Sequence, residues 1–132
     1  KFLNEKKFDY SHGTGHGIGS YLSVHEGPLS ISKKSNSRLK PGMLLTNEPG
    51  FYKINEYGIR LENVILVFKK NRFLNFKVLT LAPIDKNLLD VKLLNIKEKT
   101  WINNYHNKVY KKIGKYLNKK ESLWLKKETS NI

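Results

Sequence analysis

The chain has 132 residues, 39% of them hydrophobic, with 25 Lys/Arg against 11 Asp/Glu and no cysteine. That length supports one small domain with one core, excludes disulfides and thiolate metal sites, and holds no apolar run near the roughly 20 residues of a membrane span. The formal charge of +14 would suit nucleic acid, but sixteen Lys/Arg lie in residues 63–132, mostly lysines mixed with asparagine, which reads as a solvated face rather than an arginine surface that grips phosphates.

The N-terminus, Lys1-Phe2-Leu3-Asn4-Glu5, has neither the apolar stretch of a signal peptide nor an initiator Met, so a processed or partial chain is expected. Residues 1–10 are short and polar. Ser11-His12-Gly13-Thr14-Gly15-His16-Gly17-Ile18-Gly19 implies a backbone that turns sharply or passes close to another segment. Tyr21 to Glu26 ends at the turn signal Gly27-Pro28, and residues 30–40 read as a basic surface loop. Leu39 to Gly42 reads as a turn, Met43 to Thr46 as a short buried strand stopped by Pro49-Gly50, and Phe51 to Tyr57 as a hairpin excursion. Gly58 to Phe68 reads as one continuous strand rich in β-branched residues, with Arg60 and Glu62 on a shared face. A basic turn near Lys69 to Arg72 leads to a second strand, Phe76 to Ala82, ending at Pro83.

Asn95 with Glu98 three positions on predicts a capped helix. Trp101, Tyr105, Val109, Ile113 and Tyr116 recur at helical spacing and predict its buried face. A last short helix is predicted over Glu121 to Lys127, with Leu123, Trp124 and Leu125 for burial.

Three of the four histidines, His12, His16 and His25, fall within fourteen residues in a glycine-rich frame. Such side chains are costly to bury unless paired or bound. The plain alternative is a chance cluster in a mobile loop. His106, beside Asn103 and Asn107 on the predicted helix, reads as a surface residue. Glu48 and Glu62 sit at or in apolar strands and need partners. They can converge if their strands pair, with Arg60 beside them; the alternative is an Arg60–Glu62 surface pair on an edge strand. One His with two Glu is a hard N/O ligand set suited to Mn, Zn, Co or Fe. Two metals about 3.5–4 Å apart need bridging carboxylates, and three ligands are too few for both.

Three blocks carry a resemblance: His12-Gly-Thr-Gly-His16-Gly-Ile-Gly with Val24-His25-Glu26-Gly27-Pro28, then Asn47-Glu48-Pro49-Gly50-Phe51-Tyr52, then Gly58-Ile59-Arg60-Leu61-Glu62-Asn63. Together, in this order, they resemble aminopeptidase P of the eukaryotic cytosolic type (Xaa-Pro aminopeptidase). The likeness continues through Leu79 to Ile84, Trp101 to His106 and Trp124 to Thr129, nearly the whole chain.

The resemblance implies an α/β class: the C-terminal half of a pita-bread (creatinase/aminopeptidase) fold over residues 1–83, with a helical C-terminal extension over 84–132 packed on it. It implies a metalloprotease, a proline-specific hydrolase with two divalent metal ions, manganese first and zinc or cobalt as alternatives. His16, Glu48 and Glu62 would be the metal ligands, Glu62 bridging. Glu48 would also be general base. His12 and His25 would contact substrate, His25 also stabilising charge on the scissile carbonyl oxygen, and Arg60 would orient the carboxylates. The partners implied are peptides with proline at the second position and the upstream portion of the same enzyme, with no nucleic acid and no membrane; a homodimer of the complete enzyme is allowed, and the compartment is the cytoplasm. Two aspartates that complete the family's site, on paired upstream strands, have no counterpart here, so the chain alone is expected to be inactive. Prolidase, methionine aminopeptidase and a truncated non-catalytic module are the alternatives.

Overall fold

The computed structural model describes residues 2–20 and 24–132. The apolar run after Gly42 becomes β3 (Leu44–Asn47), which pairs with β6 (Asn63–Lys70), itself paired with β7 (Phe73–Val78), all antiparallel. Gly42 carries the one positive-φ glycine turn, φ 91°, that swings the chain into β3. Register puts Leu45 opposite Ile65 and Ile65 opposite Val78. Side chains opposite one another share a face, so Leu45, Ile65 and Val67 form the buried core, backed by Leu29, Ile31, Leu39, Met43 and Val78. Each such residue contributes about 1.5–3 kcal/mol when fully buried.

Two short ladders flank this sheet. β1 (Gly15–His16) pairs with β2 (Ser30–Ile31), so the basic stretch expected to be loop begins as a strand. Gly17 bridges Leu45, joining the glycine-rich segment to β3. A Cβ on Gly15 would run into the Thr46 carbonyl, which explains why glycine stands there. β4 (Gly50–Lys53) and β5 (Tyr57–Arg60) form the expected hairpin, turning through Asn55 at φ 60°. A short α1 (Phe2–Glu5) occupies part of the segment expected to be merely polar. Tyr21, Leu22 and Ser23, expected to continue the histidine segment, lie outside the described residues.

The strand expected over Gly58 to Phe68 is in fact two. β5 ends at Arg60 and β6 begins at Asn63. The partner chain segment breaks at the same level: β3 ends at Asn47 and β4 begins at Gly50. Pro49 has no N–H for the ladder, although its carbonyl still accepts from the Leu61 N–H at 3.2 Å. Register is unchanged across the break, because Asn47 faces Asn63 before it and Gly50 faces Arg60 after it. Glu48 therefore falls opposite Glu62. The later strand also shifts, running from Phe73 to Val78 instead of Phe76 to Ala82.

The chain divides into two compact units, the first ending at Thr80 and the second running from Leu81 to Ile132. In the second, α2 (Ile96–Ile113) starts at the expected Asn95–Glu98 capping box, and α3 (Lys119–Glu128) starts at a second one, Asn118–Glu121. α2 buries Ile102, Tyr105, His106 and Val109, a 3-4 repeat. Trp101 is half exposed, its ring stacked on Tyr105, and Tyr116 is exposed, so the buried face is rotated from the one expected. On α3 only Leu125 is buried, while Leu123 and Trp124 are exposed.

His106 is a correction. It is fully buried, not on the surface. Its Nε2 accepts from the Ile84 N–H at 3.0 Å, and the neighbouring Tyr105 hydroxyl donates to the Ala82 carbonyl at 2.8 Å. An extended segment points the C=O of one residue and the N–H of the residue two on to the same side. Two adjacent helix side chains thus satisfy the backbone of residues 82–84, as a partner strand would.

Candidate active site

Glu48 sits at the break between the two ladders, 8% exposed. Its backbone N–H donates to the Thr14 carbonyl at 2.7 Å, which anchors it to the glycine-rich segment. One carboxylate oxygen, Oε1, accepts from the Thr46 hydroxyl at 2.9 Å and lies 3.3 Å from His16 Nε2. The other, Oε2, lies 3.4 Å from Arg60 Nη1. Both oxygens of this buried carboxylate therefore have partners, as a buried charge requires.

His16 reaches the Gly17 carbonyl oxygen through Nδ1 at 2.8 Å. A carbonyl only accepts, so Nδ1 carries the proton, and in the neutral ring Nε2 presents a lone pair to Glu48. Two lone-pair groups 3.3 Å apart call for a cation between them or a proton on the ring. The His25 ring lies over His16, centroids 4.0 Å apart.

His12 repeats the pattern: Nδ1 meets the Gly13 carbonyl at 2.8 Å, and Nε2 meets the Tyr52 hydroxyl at 2.7 Å. Arg60 Nε donates to the same hydroxyl at 3.0 Å. The bonds can run in one direction only, from Arg60 through Tyr52 to the neutral His12. The hydrogen bond to Tyr52 is the main reason the Arg60 pKa is raised, with the charges of Glu48 and Glu62 adding to it. Beside His12 opens a cleft of ≈ 690 Å³, lined by Tyr10, Ser32, Lys33 and Pro49 among others.

Glu62 is exposed at the break, opposite Glu48. Like charges directly opposite each other repel, which makes this pair a place for a cation. Among the described residues, no three His, Asp or Glu side chains are gathered tightly enough to hold a metal ion as they stand. The structure brings together His16, Glu48 and Arg60 and sets the His25 ring against His16; Glu62 shares the break without closing on them. The donor chemistry, an imidazole lone pair against carboxylates with no sulfur, nevertheless fits a divalent metal.

Residues 1–69 match the profile described as metallopeptidase family M24, and residues 72–132 match the profile of the C-terminal region of peptidase M24. The chain belongs to metallopeptidase family M24. A protein of Coprinopsis cinerea named "Probable Xaa-Pro aminopeptidase P" is 44% identical over 94% of this chain and 22% of its own length. One of the same name from Talaromyces marneffei is 42% identical over 94% of this chain and 21% of its own. The crystal structure of an X-prolyl aminopeptidase from Caenorhabditis elegans, described as a cytosolic enzyme with a di-nuclear active site, superposes with a TM-score of 0.91 at 40% identity. That match covers 98% of this chain and 23% of that one. The chain thus spans about a fifth of the length of its curated relatives. The M24 fold assigns the class as α/β, the C-terminal half of the pita-bread architecture with helices at its end.

Sequence reasoning missed two side chains that hold the candidate residues, Thr46 on Glu48 and Tyr52 on Arg60. Tyr52 stood in the block Asn47 to Tyr52, but only pairing of β4 with β5 shows that it meets Arg60. Thr46 read as part of an apolar strand; a hydroxyl two residues before a carboxylate lies on the same face as that carboxylate, and that was the available signal.

Proposed function

We propose that this chain is the C-terminal part of a dinuclear-metal aminopeptidase that releases an N-terminal residue standing before a proline. The observation that carries the reading is the His16–Glu48 contact at the sheet break, with Glu62 opposite, in an M24 chain. The names of the relatives support the substrate class.

In this reading His16, Glu48 and Glu62 would hold the divalent ions, manganese in the first place. Bound there, the ions polarise a peptide carbonyl and acidify a water. Glu48 takes the proton of the attacking water on a carboxylate oxygen, which joins ligand and general base in one residue. Arg60 and Thr46 keep its two oxygens pointed in fixed directions. His25 donates to the oxyanion that develops on the scissile carbonyl. His12, oriented by Tyr52 at the mouth of the cleft, contacts substrate. Two further carboxylates come from the upstream portion of the same enzyme, and the chain alone hydrolyses nothing. The cytosol is the proposed compartment, as described for the Caenorhabditis elegans enzyme.

The test is hydrolysis of an Xaa-Pro-Xaa tripeptide by the complete, manganese-loaded enzyme. Glu48→Gln keeps the shape and loses the base, with an expected drop in kcat of about 10²–10⁴-fold. A Glu48→Gln variant as fast as the wild type, or robust turnover by the chain alone, overturns the proposal. Cleavage of Xaa-Pro dipeptides only would reassign it to prolidase.

A further inference from the structure

Thr46 is 2% exposed and bridges two elements of the site through a single oxygen. Its Oγ1 accepts from the His16 backbone N–H at 2.9 Å and donates to Glu48 Oε1 at 2.9 Å. Neither bond can reverse. An amide nitrogen only donates, and an ionised carboxylate only accepts, so the one hydroxyl proton must point at Glu48. The β-methyl restricts χ1, so the oxygen has little freedom to leave this position. The backbone around it is equally fixed. Thr46 pairs with Val64 on β6, its carbonyl is closed over by Gly15, and the Glu48 N–H is held by the Thr14 carbonyl.

The consequence lies in the geometry of the carboxylate. A free glutamate turns about its terminal torsion, a broad two-fold well. Here one oxygen is pinned beside His16 and the other is left to Arg60. The same hydroxyl is attached to the backbone of His16, so it links the positions of imidazole and carboxylate to each other. We propose that Thr46 is a positioning residue that sets the spacing and orientation of His16 and Glu48 as a ligand pair. This inference rests on the metal-site reading above and extends it to a residue outside the ligand set.

The experiment compares manganese affinity, measured by calorimetry, in the complete enzyme and its variants. Thr46→Val keeps the shape and β-branching and removes only the hydroxyl's hydrogen bonds. It should weaken manganese binding by about tenfold to a hundredfold, the range seen when a partner of a ligand is lost. Thr46→Ser should restore affinity to within about threefold of the wild type. Thr80→Val is the control, since the Thr80 hydroxyl accepts from the Val64 N–H at 2.7 Å in the same sheet without touching Glu48.

A merely structural role lowers the Tm of the metal-free protein in both valine variants and leaves the metal-induced rise in Tm intact. A positioning role shrinks that rise in Thr46→Val alone. kcat should fall with it while KM for the peptide stays. If Thr46→Val does not fold, the pair Thr46→Ala and Thr46→Ser, which differ by the hydroxyl alone, replaces it with the same expected ratio of affinities. Wild-type affinity in Thr46→Val, or equal affinity in the Ala and Ser variants, overturns the proposal while the metal site stands. A wild-type enzyme that binds no manganese overturns the metal-site reading and this inference together.

Discussion

His106 is the residue whose environment decides most about acid stability. Burial, then the charge of Lys86, push its pKa down. Nε2 must stay a bare acceptor, because the Ile84 N–H donates to it. Nδ1–H is buried and has no hydrogen-bond partner among the described residues, so the ring is already under-satisfied when neutral. Protonation would set two donors against each other. The folded pKa lies below the unfolded value of about 6.5, so the unfolded state takes up the proton first. The contribution of neutral His106 is therefore complete above about pH 6.5 and is lost as pH falls below it. Urea unfolding of the wild type and of His106→Gln, followed from pH 7.5 to 5.5, reads this out. The wild type should lose stability over that window, and the variant should lose less. Equal slopes would show that His106 does not couple to folding. From sequence, His106 looked like a surface residue because it stands beside asparagines, and only the rotation of the α2 face toward Ile102 and Val109 reveals its burial. The contact of His16 with Glu48, by contrast, joins two residues that the sequence singles out, a histidine between glycines and a carboxylate at the end of an apolar strand.

At the scale of elements, legibility followed how local the signal was. The α2 start was readable because the capping box is written in four consecutive residues. Asn95 accepts from the N–H groups of Lys97 and Glu98, and Glu98 returns the bond to the Asn95 N–H. Asn95→Ala should cost the helix about 1 kcal/mol, measured as a shift in urea midpoint at unchanged slope. A shift in the slope instead would mean that the second unit no longer unfolds with the rest. The break at Leu61-Glu62 was not readable. Period-2 alternation continues through it, and its cause lies in the partner segment, where Pro49 interrupts the ladder. The register carries through it, so Glu48 still falls opposite Glu62.

At the scale of the whole molecule the exposed area is the informative quantity. The chain exposes 10567 Å². Two separate globules the size of its two units would expose roughly 8,600 Å² together. The excess holds whatever the arrangement of the units. Large apolar side chains contribute to it. Phe73, Leu74 and Phe76 are 63%, 43% and 52% exposed, and on the hairpin Ile54 is 87% and Tyr57 52% exposed. Large apolar side chains this exposed are surface that a partner can cover. The chain also spans about a fifth of its relatives' length, so it carries surface that the remaining four fifths can cover. Expressed alone, it should associate or precipitate, seen by light scattering after size exclusion as species heavier than 15.4 kDa. Co-expression with the upstream portion as a separate chain should give a soluble complex and, with manganese, Xaa-Pro hydrolysis. Salt separates this apolar cause from the charge of the lysines. Repulsion among 25 Lys/Arg favours dispersal at low ionic strength, so association that deepens as salt rises is apolar. A monodisperse monomer at all salt concentrations would mean that these faces need no partner.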